Sequence, residues 1–155
     1  MKGNTEVVDK LNALLADELT AISQYMVHSE MAANWGFDRL HEAVEKRAID
    51  EMKHAESLIA RILFLEGLPV VSKLLPMHIG AAVPEQLQND WDAEAGAIKA
   101  YNAGIALCVA KGDNGSREQL ESILKDEEAH IDLIEAQRDQ IEQMGLQIFL
   151  GQQLD

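Results

Sequence analysis

The chain carries the same helical hairpin twice, with corresponding residues 76 positions apart. The matching pairs outside the polar motifs are Ala21 and Ala97, Ile22 and Ile98, Tyr25 and Tyr101, Gly36 and Gly112, and Asp50 and Asp126. A repeat of this length predicts two copies of one supersecondary unit that bury their apolar faces against each other. The fold is therefore expected to consist of two halves around a quasi-symmetric centre.

Glycine and proline divide the chain into four long segments and a short tail. Each long segment has apolar residues at helical spacing, which predicts helices over residues 5–35, 38–66, 84–111 and 117–144. A short helix is expected from Leu146 to about Gln153. Three start signals support these boundaries: Asp38 as a cap, Pro84 in a first turn, and Ser116 with Gln119 as a capping box.

The connections between the segments predict the topology. Two of them are short, so the first and second helices should form one antiparallel hairpin and the third and fourth another. The middle connection, Gly67 to Val83, is long, contains Pro69 and Pro76, and is rich in apolar residues. Such a segment is suited to run along the length of a bundle. We predict an all-α four-helix bundle, formed as a single domain over residues 1–155.

Each of the four helices interrupts its own apolar face with a glutamate near its midpoint. These are Glu18, Glu51, Glu94 and Glu127, and a histidine, His54 or His130, follows the second and the fourth of them by one turn. Unpaired carboxylates inside a small bundle cost several kcal/mol each and would repel one another. Two divalent cations would balance the four negative charges and leave both histidines neutral.

The pattern as a whole is far more specific than any of its members. A single glutamate or histidine in a helix is usually solvated or is a satisfied polar group in the core. Here Glu-x-x-His occurs twice, and all six residues obey the 76-residue repeat. One glutamate from each of two helices and Glu-x-x-His from each of the other two is the known ligand set of ferritin-like di-iron and di-manganese proteins, and it is recognised here by that match.

Composition restricts the partners and the other site types. The formal net charge of −14 repels nucleic acid and anionic membranes and attracts cations, although an acidic surface also serves solubility alone. The single cysteine, Cys108, excludes an intramolecular disulfide and any cysteine-based zinc or iron–sulfur site, and its apolar neighbours predict a buried, inert thiol. No signal-peptide or membrane-spanning pattern is found, which predicts a cytoplasmic protein.

With these residues assembled, the sequence resembles the bacterioferritins over its whole length. The segments that carry the resemblance are Asp17-Glu18-Leu19-Thr20-Ala21-Ile22, Asp50-Glu51-Met52-Lys53-His54-Ala55, Arg61-Ile62-Leu63-Phe64-Leu65-Glu66-Gly67-Leu68-Pro69 and Asp126-Glu127-Glu128-Ala129-His130-Ile131. The second Glu-x-x-His separates it from other ferritins. Rubrerythrins need cysteines that this chain lacks, and miniferritins place their sites between subunits.

The resemblance implies a ferroxidase that stores ferric mineral inside a 24-subunit shell. Fe(II) would bind at the six residues and be oxidised by dioxygen or peroxide, with Glu51 and Glu127 bridging the two irons. The resemblance also implies haem b, held between two-fold-related subunits by one Met52 from each. A small redox protein such as a ferredoxin would supply electrons for iron release.

Two other interpretations stay open from the sequence. One is a di-iron enzyme that activates oxygen toward an organic substrate, for which tight hairpins are expected to leave little room beside the metals. The other is a structural bundle without metal, which the buried carboxylates disfavour. Tyr25 and Tyr101 lie two turns beyond a ligand glutamate. Packing is their simplest role, and we hypothesise that each also donates a hydrogen bond to a ligand carboxylate.

Overall fold

The computed structural model describes all 155 residues and contains five helices and no strand. The helices are α1 Thr5–Asn34, α2 Asp38–Phe64, α3 Val83–Ala110, α4 Asn114–Met144 and α5 Leu146–Gly151. The all-α prediction is confirmed, as is the short final helix. None of the five has the length and apolar character that crossing a membrane requires.

The predicted start of α4 and the predicted cap of α2 are wrong. Helix α4 begins at Asn114 because the side chain of Asp113 caps it, accepting a hydrogen bond from the backbone N–H of Ser116. The Ser116 hydroxyl is thereby used up as a donor to Asp113, and Gln119 instead reaches across to the backbone carbonyl of Ser57 at 2.7 Å. The capping box therefore does not form. A carboxylate next to the helix start is the stronger acceptor and moves the start three residues earlier.

At the start of α2, Asp38 is the first helical residue and Phe37 occupies the cap position without a side-chain hydrogen bond. Asp38 therefore does not cap the helix. Its carboxylate lies in the first turn, where the positive end of the helix dipole favours a negative charge. The position of Pro84 in the first turn of α3 is as predicted.

The four long helices form two antiparallel hairpins that pack side by side. In the first hairpin Ser29 of α1 contacts His41 of α2, and in the second Trp91 of α3 contacts Glu135 of α4. Helix α1 also packs against α3 and so joins the hairpins. This is the predicted ferritin-like arrangement.

The apolar core has two main clusters, one at each end of the bundle, with a polar layer between them and a small third cluster around Tyr25. One end is centred on Leu14, Leu58 and Leu120. The other contains Leu40 and Ile134 and is closed by Phe149 of α5. The predicted ligand residues lie in the layer between these ends. The thiol of Cys108 is buried in the first end, as predicted.

The long connection between α2 and α3 runs along α1 and is fixed to it by hydrogen bonds. Side chains of α1 at positions 12, 20, 24 and 28 accept from backbone amides of the connection at Val70, Leu75, His78 and Gly80, over distances of 2.8–3.0 Å. These positions are multiples of four apart, so they form a row that winds slowly around the helix as the connection follows it. The segment follows the bundle as predicted, but several of its apolar side chains, including Val71 and Leu74, point outward and are more than half exposed.

Candidate metal centre

The structure brings all six predicted ligand residues together in the middle of the bundle. Their potential ligand atoms form two groups, and within each group the atoms lie within 4.8 Å of one another. We call these groups the first position and the second position. The first position consists of Glu18, Glu51, His54 and Glu127, and the second of Glu51, Glu94, Glu127 and His130. Glu51 and Glu127 belong to both.

Each histidine turns its Nδ1 atom toward the carboxylates. The Nδ1 atom of His54 lies 2.9 Å from an oxygen of Glu51 and 2.9 Å from an oxygen of Glu127. The Nδ1 atom of His130 lies 3.0 Å from Glu51 and 3.5 Å from Glu94. The Nδ1 atom of His54 also lies 3.8 Å from Glu18, so each imidazole faces two or more carboxylates.

Several of these close atoms are not aligned for hydrogen bonding with each other. Glu51 Oε1, Glu127 Oε1 and His130 Nδ1 are buried and have no hydrogen-bond partner in the chain, despite neighbours at about 3 Å. Buried polar atoms are normally hydrogen-bonded. Atoms that point toward a shared space instead of toward one another are what a set of metal ligands requires, so the residues fit a pair of cations.

Two aspartates hold the outer edges of the histidine rings. The Nε2 atom of His54 lies 2.9 Å from Asp126, and that of His130 lies 3.3 Å from Asp50. A ring whose Nε2–H donates to a carboxylate has its Nδ1 lone pair free for a metal, and the carboxylate makes that nitrogen a better donor. The sequence analysis identified these aspartates only as members of the repeat and assigned them no role. Their position directly before each Glu-x-x-His motif could have predicted a contact with the histidines.

The two buried tyrosines connect the hairpins at the same level. The hydroxyl of Tyr25 donates to Glu94 over 2.7 Å, and the hydroxyl of Tyr101 donates to Glu18. Each tyrosine thus orients the glutamate of the other hairpin. The hypothesis that both hydroxyls bond to predicted ligand carboxylates is confirmed.

Burial and crowding of carboxylates make the centre retain protons. Burial, together with the charges of the neighbouring glutamates, raises the pKa of Glu127 to about 10, although the close contact with His54 opposes the shift. Burial and the proximity of Glu18 raise the pKa of Glu51 well above its usual value. Burial opposes the charged form of His54, but hydrogen bonds with carboxylates raise its pKa overall. A bound cation would have to displace these protons.

A cavity of about 350 Å³ leads from the connection between α2 and α3 to the predicted ligands. Its walls include Glu18 and Glu127, with Asp17 and Asp92 further out. The expectation that little room exists beside the metals is therefore wrong, because the long connection and α3 leave a space next to α1. Four carboxylates in its wall suit a hydrated cation better than an apolar organic substrate.

Comparison with known proteins agrees with this architecture. The family described as "Ferritin-like domain" matches residues 8–144. A bacterioferritin of Rhodobacter capsulatus is 42% identical over 149 residues, which cover 96% of this chain and 92% of the relative. Bacterioferritins of Streptomyces coelicolor and Mycobacterium avium are 41% and 39% identical, over 97% and 98% of this chain and 90% and 96% of theirs.

Proposed function

The chain belongs to the bacterioferritins, and on this premise we propose that it is a ferroxidase that oxidises Fe(II) at the two positions and stores the product as ferric mineral. Membership of the family supports iron storage. The observation that carries the proposed ferroxidase centre is the pair of buried ligand sets that share Glu51 and Glu127. Six side chains would hold the irons: Glu18, Glu51, His54, Glu94, Glu127 and His130.

The charge of the centre supports two ferrous ions. Four ionised carboxylates and two neutral histidines carry a charge of −4, which two divalent cations neutralise. Carboxylates are hard ligands that stabilise Fe(III), while imidazole nitrogens also bind Fe(II) well. A mixed set can therefore hold iron in both oxidation states, as an oxidation reaction requires.

In the proposed reaction the two Fe(II) ions are the substrate and each loses one electron. The two electrons pass to one dioxygen, which takes up two protons and leaves as hydrogen peroxide, or to one peroxide, which takes up two protons and leaves as two water molecules. Glu51 and Glu127, shared by both positions, keep the ions close enough to serve one oxidant. Tyr25 and Tyr101 hold Glu94 and Glu18 in place through their hydrogen bonds.

We further propose that the chains assemble into a shell of 24 subunits. Family membership supports a homo-oligomeric shell, and the exposed apolar side chains of the connection between α2 and α3 support contact with other subunits. Val71 and Leu74 in that segment are 57% and 53% exposed, and isolated solvated loops rarely carry such clusters. The cytoplasm stays the predicted location.

We propose that Met52 binds haem b at a two-fold axis of this shell. The side chain is 44% exposed, so it does not serve core packing within its own chain, and Ile49, one turn earlier, is 42% exposed on the same face of α2. The next residue after Glu51 points about 100° away from the metal-facing side. A thioether on an apolar outer face fits haem between two copies. Bound haem would supply one-electron transfer for iron release, with a ferredoxin-type protein as the reductant.

The cavity beside the two positions keeps one alternative to be tested, a di-iron enzyme acting on an organic substrate. Size-exclusion mass and iron loading separate the two functions. Storage predicts a particle near 24 times 17.1 kDa that takes up many irons per chain. A small oligomer that stops at two irons per chain would contradict storage.

The assignment of the centre is tested with Glu51→Gln and His54→Ala, which should slow ferroxidation strongly. Glu56→Gln, an exposed glutamate on the same helix, is the matched control and should behave like the wild type. Oxidation at the wild-type rate in both ligand variants would refute the centre.

The haem assignment is tested with Met52→Leu, which should abolish the haem absorption and leave ferroxidation largely intact. Met144→Leu changes another partly exposed methionine and serves as the control. If Met52→Leu also lost iron oxidation, the separation of the two roles would be wrong.

A further inference from the structure

The 76-residue repeat breaks down in the shell of residues around the metal centre. Helices α1, α2 and α3 contribute to a buried polar network, and the positions that the repeat relates to its members are apolar or glycine. The network residues and their counterparts 76 positions away are Gln24 and Ala100, His28 and Gly104, Arg47 and Ile123, and Asp90 and Leu14. All four network residues are at least 97% buried. The two positions therefore have different electrostatic surroundings.

The network places a partly compensated guanidinium beside the second position. Arg47 donates to Asp90 over 3.2 Å, but the other oxygen of Asp90 is occupied by Gln24 and His28, at 2.9 and 2.8 Å. The Nε and Nη2 atoms of Arg47 find no acceptor in the chain. The guanidinium carbon lies 4.8 Å from the centre of the Tyr25 ring.

Tyr25 lies between the guanidinium of Arg47 and the carboxylate of Glu94, so the positive charge of Arg47 is close to a proposed metal ligand. The hydroxyl of Tyr25 is bonded to Glu94, the glutamate that only the second position uses. In the first position the equivalent tyrosine, Tyr101, belongs to an apolar cluster that includes Ile123.

A second cation acts on the histidine of the same position. The ammonium group of Lys46 lies 2.7 Å from Asp50 Oδ2, the oxygen that also faces His130 at 3.3 Å. The equivalent of Lys46 in the other half is Ser122, and Asp126 pairs with His54 at 2.9 Å without a lysine or arginine partner. Asp50 is shared between Lys46 and His130, so its negative charge is partly neutralised. It therefore makes the Nδ1 atom of His130 a better metal ligand to a smaller extent than Asp126 does for His54.

We infer that Lys46 and Arg47 weaken the second position, so that it binds a divalent cation less tightly than the first position and releases it sooner. Both side chains add positive charge near the second position, and Asp90 offsets only one of the two charges. The related positions around the first position, Ser122, Ile123 and Leu14, carry no charge. The inference rests on the proposed metal centre.

The test measures the two positions separately with Co²⁺, whose visible absorption reports binding without oxidation. His130→Ala leaves the first position with its histidine, and His54→Ala leaves the second. We expect the His130→Ala protein to bind Co²⁺ at least about tenfold more tightly than the His54→Ala protein, which is a lower bound for an extra unit charge within about 10 Å of a divalent cation at an effective dielectric constant near 20. Equal affinities, or tighter binding in the His54→Ala protein, would overturn the inference.

The cause is tested by removing the cations within these two backgrounds. Lys46→Gln, Arg47→Met and Asp90→Asn together remove the charges, and the amide oxygen introduced by the third change would still accept from Gln24 and His28. They should tighten Co²⁺ binding by at least about tenfold in the His54→Ala background and change it little in the other. Lys99→Gln, an exposed lysine of α3 outside any ion pair, is the control. An equal change in both backgrounds would refute the cause.

Arg47→Lys keeps the positive charge and should preserve the weak binding, which a purely packing role of Arg47 would not. Circular dichroism and oligomeric mass establish that each variant is folded. If neither the wild-type protein nor the two histidine variants bound Co²⁺, the proposed metal centre itself would be wrong. Equal binding in the two histidine variants would instead refute only the difference between the positions.

Discussion

Replacing Glu127 by glutamine should stabilise the metal-free protein while weakening the metal-bound one. In the folded chain the pKa of this carboxyl is about 10, because of burial and of the neighbouring glutamates. In the unfolded chain the pKa returns to about 4.5. At neutral pH the side chain must therefore take up a proton when the protein folds. Glutamine needs no proton and keeps the shape of the side chain.

The size of the effect follows from the proton uptake. At pH 7 the carboxyl is about 2.5 pH units above its unfolded pKa, and protonating it costs about 3 kcal/mol. At pH 5 the same cost is below about 1 kcal/mol. Because the pKa of Glu127 is raised in the folded state, its protonation lowers the stability of the wild-type protein progressively as the pH rises from about 4.5 to about 10. The glutamine variant lacks this loss, so its advantage should grow over that range.

Denaturant unfolding of the metal-free proteins at pH 5, 7 and 8, at one protein concentration, measures the difference. Glu128→Gln, the exposed neighbour, is the matched control and should change stability little. With saturating Co²⁺ the order should reverse, since the variant has lost a shared ligand. A metal-free Glu127→Gln protein that is less stable than wild type at pH 7, or equally altered at pH 5 and pH 8, would refute the reasoning.

Three further outcomes are expected. Tyr25→Phe and Tyr101→Phe each remove a hydrogen bond to a ligand carboxylate and should lower Co²⁺ affinity and ferroxidation rate by about tenfold or more; unchanged values in both would confine the tyrosines to packing. Asp126→Asn should weaken Co²⁺ binding by about tenfold because the ring of His54 loses its charged acceptor, whereas equal affinity in a calorimetric titration would exclude that role. Gln24→Leu should destabilise the protein by about 1–3 kcal/mol, measured by urea unfolding, since a backbone amide of the connection and the carboxylate of Asp90 both lose a partner; an unchanged unfolding midpoint would show that the connection is held by other contacts.

The helices and the predicted ligands could be read from the sequence because both depend on local periodicity. A residue in the middle of an apolar stripe faces the bundle axis, whatever its partners are, and the repeat places Glu18, Glu51, Glu94 and Glu127 at the same height. The connection between α2 and α3 was predictable for a similar reason, since its length and prolines exclude a tight turn. Met52 could be placed outside the centre from its angle on the helix alone.

Only the tertiary structure decided which side chains meet across helices. The contact between Asp126 and His54 and that between Arg47 and Asp90 depend on the axial register and rotation of separate helices, which no pattern within one helix encodes. The start of α4 was decided in the same way, because Asp113 and Ser116 had several possible partners and geometry selected among them. The sequence by itself therefore determined where buried charge would collect, and the packing determined how each of those charges is compensated.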